Sequence, residues 1–150
     1  VLLTVACALA VVTSADREPI EWIGVVGIAI WMIGFAVEVV ADRQKSAFRL
    51  DPVNRDRFLT SGLWAWSRHP NYFGEITLWV GVAVVAAPIL SGWRWVMLIS
   101  PLFVILLLTR ISGIPLLEAR AAKRWGDDPS FQAYTQNTPA LIPRPPRRSN

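Results

Sequence analysis

The sequence predicts an all-α fold: a polytopic transmembrane helix bundle with a cytoplasmic loop and a C-terminal cap. Three observations predict it. Charged residues are only 17% of the 150 and apolar residues 53%, whereas soluble domains carry about 25% charged residues; mean hydropathy is +0.40. Uncharged stretches occupy residues 1–15, 22–37, 76–93 and 95–109. Basic residues gather in two blocks separated by an even number of these stretches. Together they predict helices over about 1–15, 20–41, 75–92 and 94–112, within one membrane domain that runs to residue 143.

Each element follows from length and boundary residues. A spanning helix needs about 20 mostly apolar residues. The stretch 1–15 is short of that, and the chain opens on Val1 inside the apolar run, so the sequence reads as a fragment that has lost an N-terminal portion. A signal peptide is the weaker reading, because no basic segment precedes the apolar core. The second helix reaches full length with Glu21 and Glu38 near its ends. The third and fourth are divided by Arg94 alone, which predicts a helical hairpin turning at Ser91-Gly92. Trp93 and Trp95 flank that turn, where an aromatic belt meets the membrane surface. Pro88 and Pro101 fall inside the two helices, where membrane helices accept a kink. In the tail, residues 117–126 read as a short helix capped by Gly126, and Asp127-Asp128-Pro129 starts another. Residues 144–150 read as a disordered basic tail on anionic lipid.

Charge sets the orientation. Arg43, Lys45, Arg49, Arg55, Arg57 and Arg68 lie in the long loop 42–73, and Arg120, Lys123, Arg124, Arg144, Arg147 and Arg148 in the tail, whereas the opposite loops hold Arg17 and Arg94. The positive-inside rule turns the long loop and the C-terminus to the cytoplasm. A net charge of +4 on so apolar a chain points to lipid or a phosphorylated ligand, not to nucleic acid. The composition excludes intrinsic disorder and a disulfide-rich module, and Cys7 is the single cysteine. Gly24-Val25-Val26-Gly27 is not a dinucleotide fingerprint, there is no P-loop, and one histidine builds no histidine-based metal cluster.

Two polar clusters stand between the helices. Glu38, Asp42, Lys45 and Arg49 share one face if the second helix continues. They are either solvated charges on an emerging helix or the wall of a cofactor site with Lys45 and Arg49 on phosphates. Residues 61–75 are denser. Pro70 disfavours helix at His69 and suits the first turn of the next helix. Asn71 and Glu75 then share a face, with Glu75 at the membrane boundary, where a carboxyl group that keeps its proton can donate to a carbonyl. First-turn capping and interfacial packing explain these residues singly; Arg68, His69, Asn71, Tyr72 and Glu75 within eight positions suggest a site. Arg120, Arg124 and Tyr134 lie either on an amphipathic surface helix and its neighbour or on a cap that closes over the loop.

The string Gly-Leu-Trp-Ala-Trp-Ser-Arg-His-Pro-Asn-Tyr-Phe-Gly-Glu at 62–75 resembles the C-terminal signature of the steroid 5-alpha-reductase-like membrane proteins, closest to bacterial members described as a domain of unknown function. Gln44-Lys45 and Phe48-Arg49 upstream, and Ser112 to Glu118, Tyr134 and Thr138 to Pro143 downstream, extend the likeness from about Trp31 to Pro143. The resemblance implies a bacterial inner-membrane protein whose C-terminal half encloses NADPH and reduces an activated carbon–carbon double bond in a lipophilic, steroid-like substrate. Asp42, Lys45, Arg49, Arg68, His69, Asn71 and Tyr72 would line the cofactor pocket, joined by Arg120, Arg124 and Tyr134 from the tail. Glu75 matches the family glutamate that reaches the substrate carbonyl. The family's substrate-contacting tyrosine lies upstream of this fragment. The core Arg-His-Pro-x-Tyr also resembles isoprenylcysteine carboxyl methyltransferases and phospholipid methyltransferases, which bind S-adenosylmethionine. Those carry two adjacent glutamates where Glu118 is followed by Ala119 here, and Asn71 with Gly74-Glu75 favours the reductase branch. A membrane protein that keeps the fold without either activity is the third reading.

Overall fold

The computed structural model describes residues 22–146. The helix expected over 1–15, with Cys7, lies outside the described residues, as do the last four of the basic tail. Among the described residues the protein is all helical, in keeping with a membrane helix bundle. Helix α1 is Trp22–Leu50 and α2 is Pro70–Ala86. A short α3, Ile99–Leu106, runs through a π-helical turn, Leu107–Ile111, into α4, Ile114–Trp125; α5 is Pro129–Asn137.

Helix α1 outruns its apolar stretch by three turns, because good helix formers such as Ala41, Gln44, Lys45 and Ala47 carry it past the boundary where charge begins. Pro70 opens α2, so that helix starts five residues before the expected 75 and takes in Asn71 and Tyr72. It ends at Ala86 rather than 92, since Pro88 has no N–H for a continuing ladder and a 3-10 turn, Ala87–Ile89, follows. The hairpin pivot is Gly92, in the left-handed region at φ +54°. The helix expected over 94–112 is divided: a 3-10 stretch, Gly92–Leu98, precedes α3. Pro101 therefore stands in the first turn of α3, where its missing N–H costs nothing, and not at a mid-helix kink.

Two helical runs, Trp22–Leu50 and Ile99–Trp125, are long and apolar enough to cross a membrane. Their outward faces are apolar too: Met32 is 59% exposed, Ile33 60% and Leu102 64%, the pattern of a surface made for lipid. Helices α1 and α2 pack antiparallel along two pairs of glycines. A Cβ built on Gly74 would stand 2.6 Å from the Glu38 backbone nitrogen, one on Gly81 2.5 Å from that of Trp31, and one on Gly27 2.7 Å from that of Val85. Gly34 sits equally close against Leu78. Small residues that let backbones touch are the usual means of joining helices in lipid, where burial of apolar surface drives little. The contact matters for the site because Gly74 adjoins Glu75 and pins the start of α2 against α1.

Candidate functional site

The segment 61–69 is held to α1 and to the tail by a dense set of bonds. Gly62, at φ +62°, lets the chain turn beside Gln44, whose Oε1 accepts the Leu63 N–H at 3.0 Å. Trp64 is buried; its indole N–H donates to the Ala41 carbonyl at 3.1 Å. The Lys45 ammonium stands 5.2 Å from the centre of its ring. From the tail, Tyr134 donates its hydroxyl to the Trp64 carbonyl at 2.7 Å. The fully buried Ser67 donates to the Leu141 carbonyl at 2.8 Å, the Arg68 N–H donates to Pro139, and the Arg144 N–H donates to Trp66. The two basic blocks thus meet at one end of the helix pair.

Burial pushes the Tyr134 hydroxyl above the ordinary tyrosine range. The folded protein therefore binds that proton more tightly than the unfolded chain, and stability falls as pH rises through the ordinary tyrosine range. Tyr134→Phe leaves the Trp64 carbonyl without its partner. The expected loss is about 1–2 kcal/mol, read from denaturant unfolding at neutral pH, with the alkaline loss of stability reduced in the variant. A midpoint unchanged at neutral pH would show that the bond carries no stability.

Between these layers lies a cavity of about 540 Å³. Lys45 and Arg49 of α1, Arg55 and Arg57 of the following loop, Arg68 and His69, and Arg120 and Arg124 of α4 line it, with Phe58, Trp64 and Tyr134 among its aromatic walls. One carboxylate enters that wall, Glu118 of α4. Its Oε1 accepts from His69 Nε2 at 2.6 Å, which puts a ring proton on Nε2, and its Oε2 pairs with Arg68 Nη1. His69 is 6% exposed and stacks on Tyr72 at 5.7 Å. Arg124 closes the outer edge, donating to the Arg55 carbonyl at 2.8 Å and to Asp56 at 3.1 Å. Phe58 packs edge-on to Phe131 and against Trp125, which seats α4 and α5 over the loop.

Of the residues singled out from the sequence, Lys45, Arg49, Arg68, His69, Arg120, Arg124 and Tyr134 line the cavity. Asp42, Asn71, Tyr72 and Glu75 do not. The shared face of α1 is divided: the turn at 62–65 docks on Ala41 and Gln44, Lys45 and Arg49 fall inside the cavity, and Asp42 lies with Glu38 and Arg43 along a separate shallow groove. Glu75 is half-buried on α2, within electrostatic reach of Glu38 and Asp42. Sequence reasoning missed Arg55, Arg57 and Glu118 as parts of the wall. The signal for Glu118 was present in the helical spacing of Leu117, Ala121, Arg124 and Trp125, which turns one face of α4 inward.

Fold and site define a class: a helical membrane protein whose loop and tail enclose a cavity lined by basic side chains. The chain belongs to the family described as "Protein of unknown function (DUF1295)", which it matches over residues 1–138. It is similar to the steroid 5-alpha-reductase DET2 of Gossypium hirsutum, 30% identical over 128 residues, which is 85% of this chain and 45% of that protein. It is also similar to the Delta(14)-sterol reductase ERG24 of Saccharomyces cerevisiae, 39% identical over 70 residues, covering 39% of this chain and 16% of that protein. A third relative is the probable O-methyltransferase ustE of Ustilaginoidea virens, 31% identical over 67 residues, covering 44% and 23%. The chain spans less than half the length of each of these relatives. No solved structure matches it.

Proposed function

We propose that this chain is the cofactor-binding part of a membrane reductase that uses NADPH to reduce an activated carbon–carbon double bond in a lipophilic, steroid-like or enone substrate. The observation that carries the reading is the cavity wall: guanidinium groups from four separate segments line it, and the one carboxylate among its described residues is already paired. Such a donor set fits a phosphorylated dinucleotide, and the volume lies in the usual range for a cofactor site, about 300–1,000 Å³. S-adenosylmethionine carries a net positive charge and fits so basic a wall less well, which favours the reductase reading over the methyltransferase one. Similarity to a steroid reductase over most of the chain supports it further.

Under this reading Lys45, Arg49, Arg55, Arg57 and Arg120 hold the anionic part of the cofactor, Arg124, paired with Asp56, closes the edge beside it, and Tyr134 keeps residues 64–69 in register. NADPH, when bound, supplies the hydride. Tyr72 and Asn71 sit between the cavity and the membrane-embedded turn that carries Glu75. Glu75 donates a hydrogen bond to the carbonyl oxygen of a substrate that enters from the bilayer, where charge develops as the double bond is reduced. In this reading the loop and tail face the cytoplasm of a bacterial inner membrane, an orientation that the distribution of arginines supports.

The test is a titration of the full-length detergent-purified protein with NADPH and with S-adenosylmethionine, followed by tryptophan fluorescence. Saturable NADPH binding is expected, weakened about tenfold or more in Arg49→Ala through loss of a charge-assisted bond. An unchanged affinity in Arg49→Ala removes that residue from the anion site. Binding of S-adenosylmethionine alone overturns the reductase reading.

A further inference from the structure

Glu118 stands out in a wall otherwise made for anions. A free carboxylate there would repel a phosphate, but both of its oxygens are taken, one by His69 and one by Arg68. The pairing divides the cavity electrostatically. Arg68, His69 and Glu118 form a neutralised end beside Pro70, where α2 begins. Two turns further along α4, Arg124 donates to the Arg55 carbonyl and Asp56, so the loop after α1 lies away from that pair. Its wall residues Arg55 and Arg57, with Arg49, have no carboxylate partner among the described residues. Arg68 also carries a buried Nε–H with no acceptor among the described residues, a donor left for an oxygen of the ligand.

We infer that Glu118 is a positioning residue that sets the direction of the bound cofactor: by neutralising Arg68 it excludes phosphate from the end of the cavity nearest the membrane and leaves that end to the uncharged ring. The inference rests on the proposed nucleotide site and adds its polarity. Without the Glu118 charge, Arg68 becomes a free cation at the wrong end and competes for phosphate. The ligand then binds in either direction, and the productive one is diluted.

The experiment measures two quantities in Glu118→Gln, which keeps the shape of the side chain and loses its charge. The affinity for inorganic pyrophosphate, followed by fluorescence quenching of the full-length protein, should rise about fivefold, the scale of one added solvent-exposed ion pair. NADPH-dependent turnover should fall severalfold, because only the fraction bound in the productive direction reacts. A residue needed only for folding would lower both, so opposite changes are the signature. The double variant Glu118→Gln/Arg68→Gln should return pyrophosphate affinity to the starting value, and Glu118→Asp, which keeps the charge, should not raise it. Unchanged or weaker pyrophosphate binding in Glu118→Gln overturns the inference, and so does a double variant that stays tight. If Glu118→Gln does not fold, tighter pyrophosphate binding in Glu118→Asp overturns it and an unchanged affinity upholds it. Wild-type protein that binds pyrophosphate but not NADPH overturns the reductase reading instead, and the Glu118 comparison still reads out.

Discussion

Replacing Glu75 by glutamine lowers turnover about 100-fold, the usual cost of losing a group that stabilises developing charge, while NADPH affinity stays within about twofold. The division follows from where the residue lies. Glu75 belongs to the second turn of α2, one helical step beyond Tyr72, and is absent from the cavity wall. Its loss therefore leaves the arginines, the Glu118 pairing and the Trp64 anchor untouched. Glutamine matches the shape of glutamate and still offers a donor, but it cannot lend a proton to an enolate. Glutamine is also as neutral as the protonated Glu75 that the reaction uses, so the charge balance around it does not change and unfolding should be no easier. Single-turnover kinetics with an enone, beside an NADPH titration of the same preparation, separate the outcomes. A rate that does not move takes Glu75 out of the chemistry. A rate and an affinity that fall together make it a packing residue.

How much of this was legible beforehand depended on whether the controlling contacts were local. Hydropathy located the bundle, because lipid demands long uncharged runs. Pro70 could be read as a helix start, since its constraint acts on its own φ and on its neighbour. The end of α1 was harder: charge begins at Glu38, yet nothing after it breaks a helix before Asp51-Pro52, and the rod carries Lys45 and Arg49 to the cavity. Spacing alone could not separate Asp42 from Lys45 on that face, because a turn twenty residues downstream draws the boundary between them. Glu118 was the least visible member. Its partners Arg68 and His69 lie about fifty residues away, and in one dimension it is an ordinary acid on an amphipathic helix. Its charge also looked out of place for an anion site until Arg68 was seen to cancel it.

The second large effect is expected at Gly74, on the seam between α1 and α2. The first atom of any side chain there would stand 2.6 Å from the Glu38 backbone nitrogen and 2.8 Å from the Gly34 carbonyl. Neither is the end of a flexible side chain, so one helix must move. Overpacking of this kind costs about 1–3 kcal/mol, and Gly74→Ala should lower the unfolding midpoint in detergent accordingly. Gly92→Ala provides the contrast: a Cβ there meets nothing within 4 Å, and its cost is confined to the left-handed backbone, about 1–2 kcal/mol. Stability alone would barely distinguish the two. Function should, because Gly74 adjoins Glu75 and lies within one turn of Asn71 and Tyr72, whereas Gly92 lies beyond the far end of α2. Gly74→Ala protein that remains folded should bind NADPH yet turn over at least tenfold more slowly, since a shift of about 1 Å at a reacting group is enough. Gly92→Ala protein should turn over normally below its midpoint. Equal rates in the two variants would mean that the glycine seam holds the helices together without setting the position of Glu75.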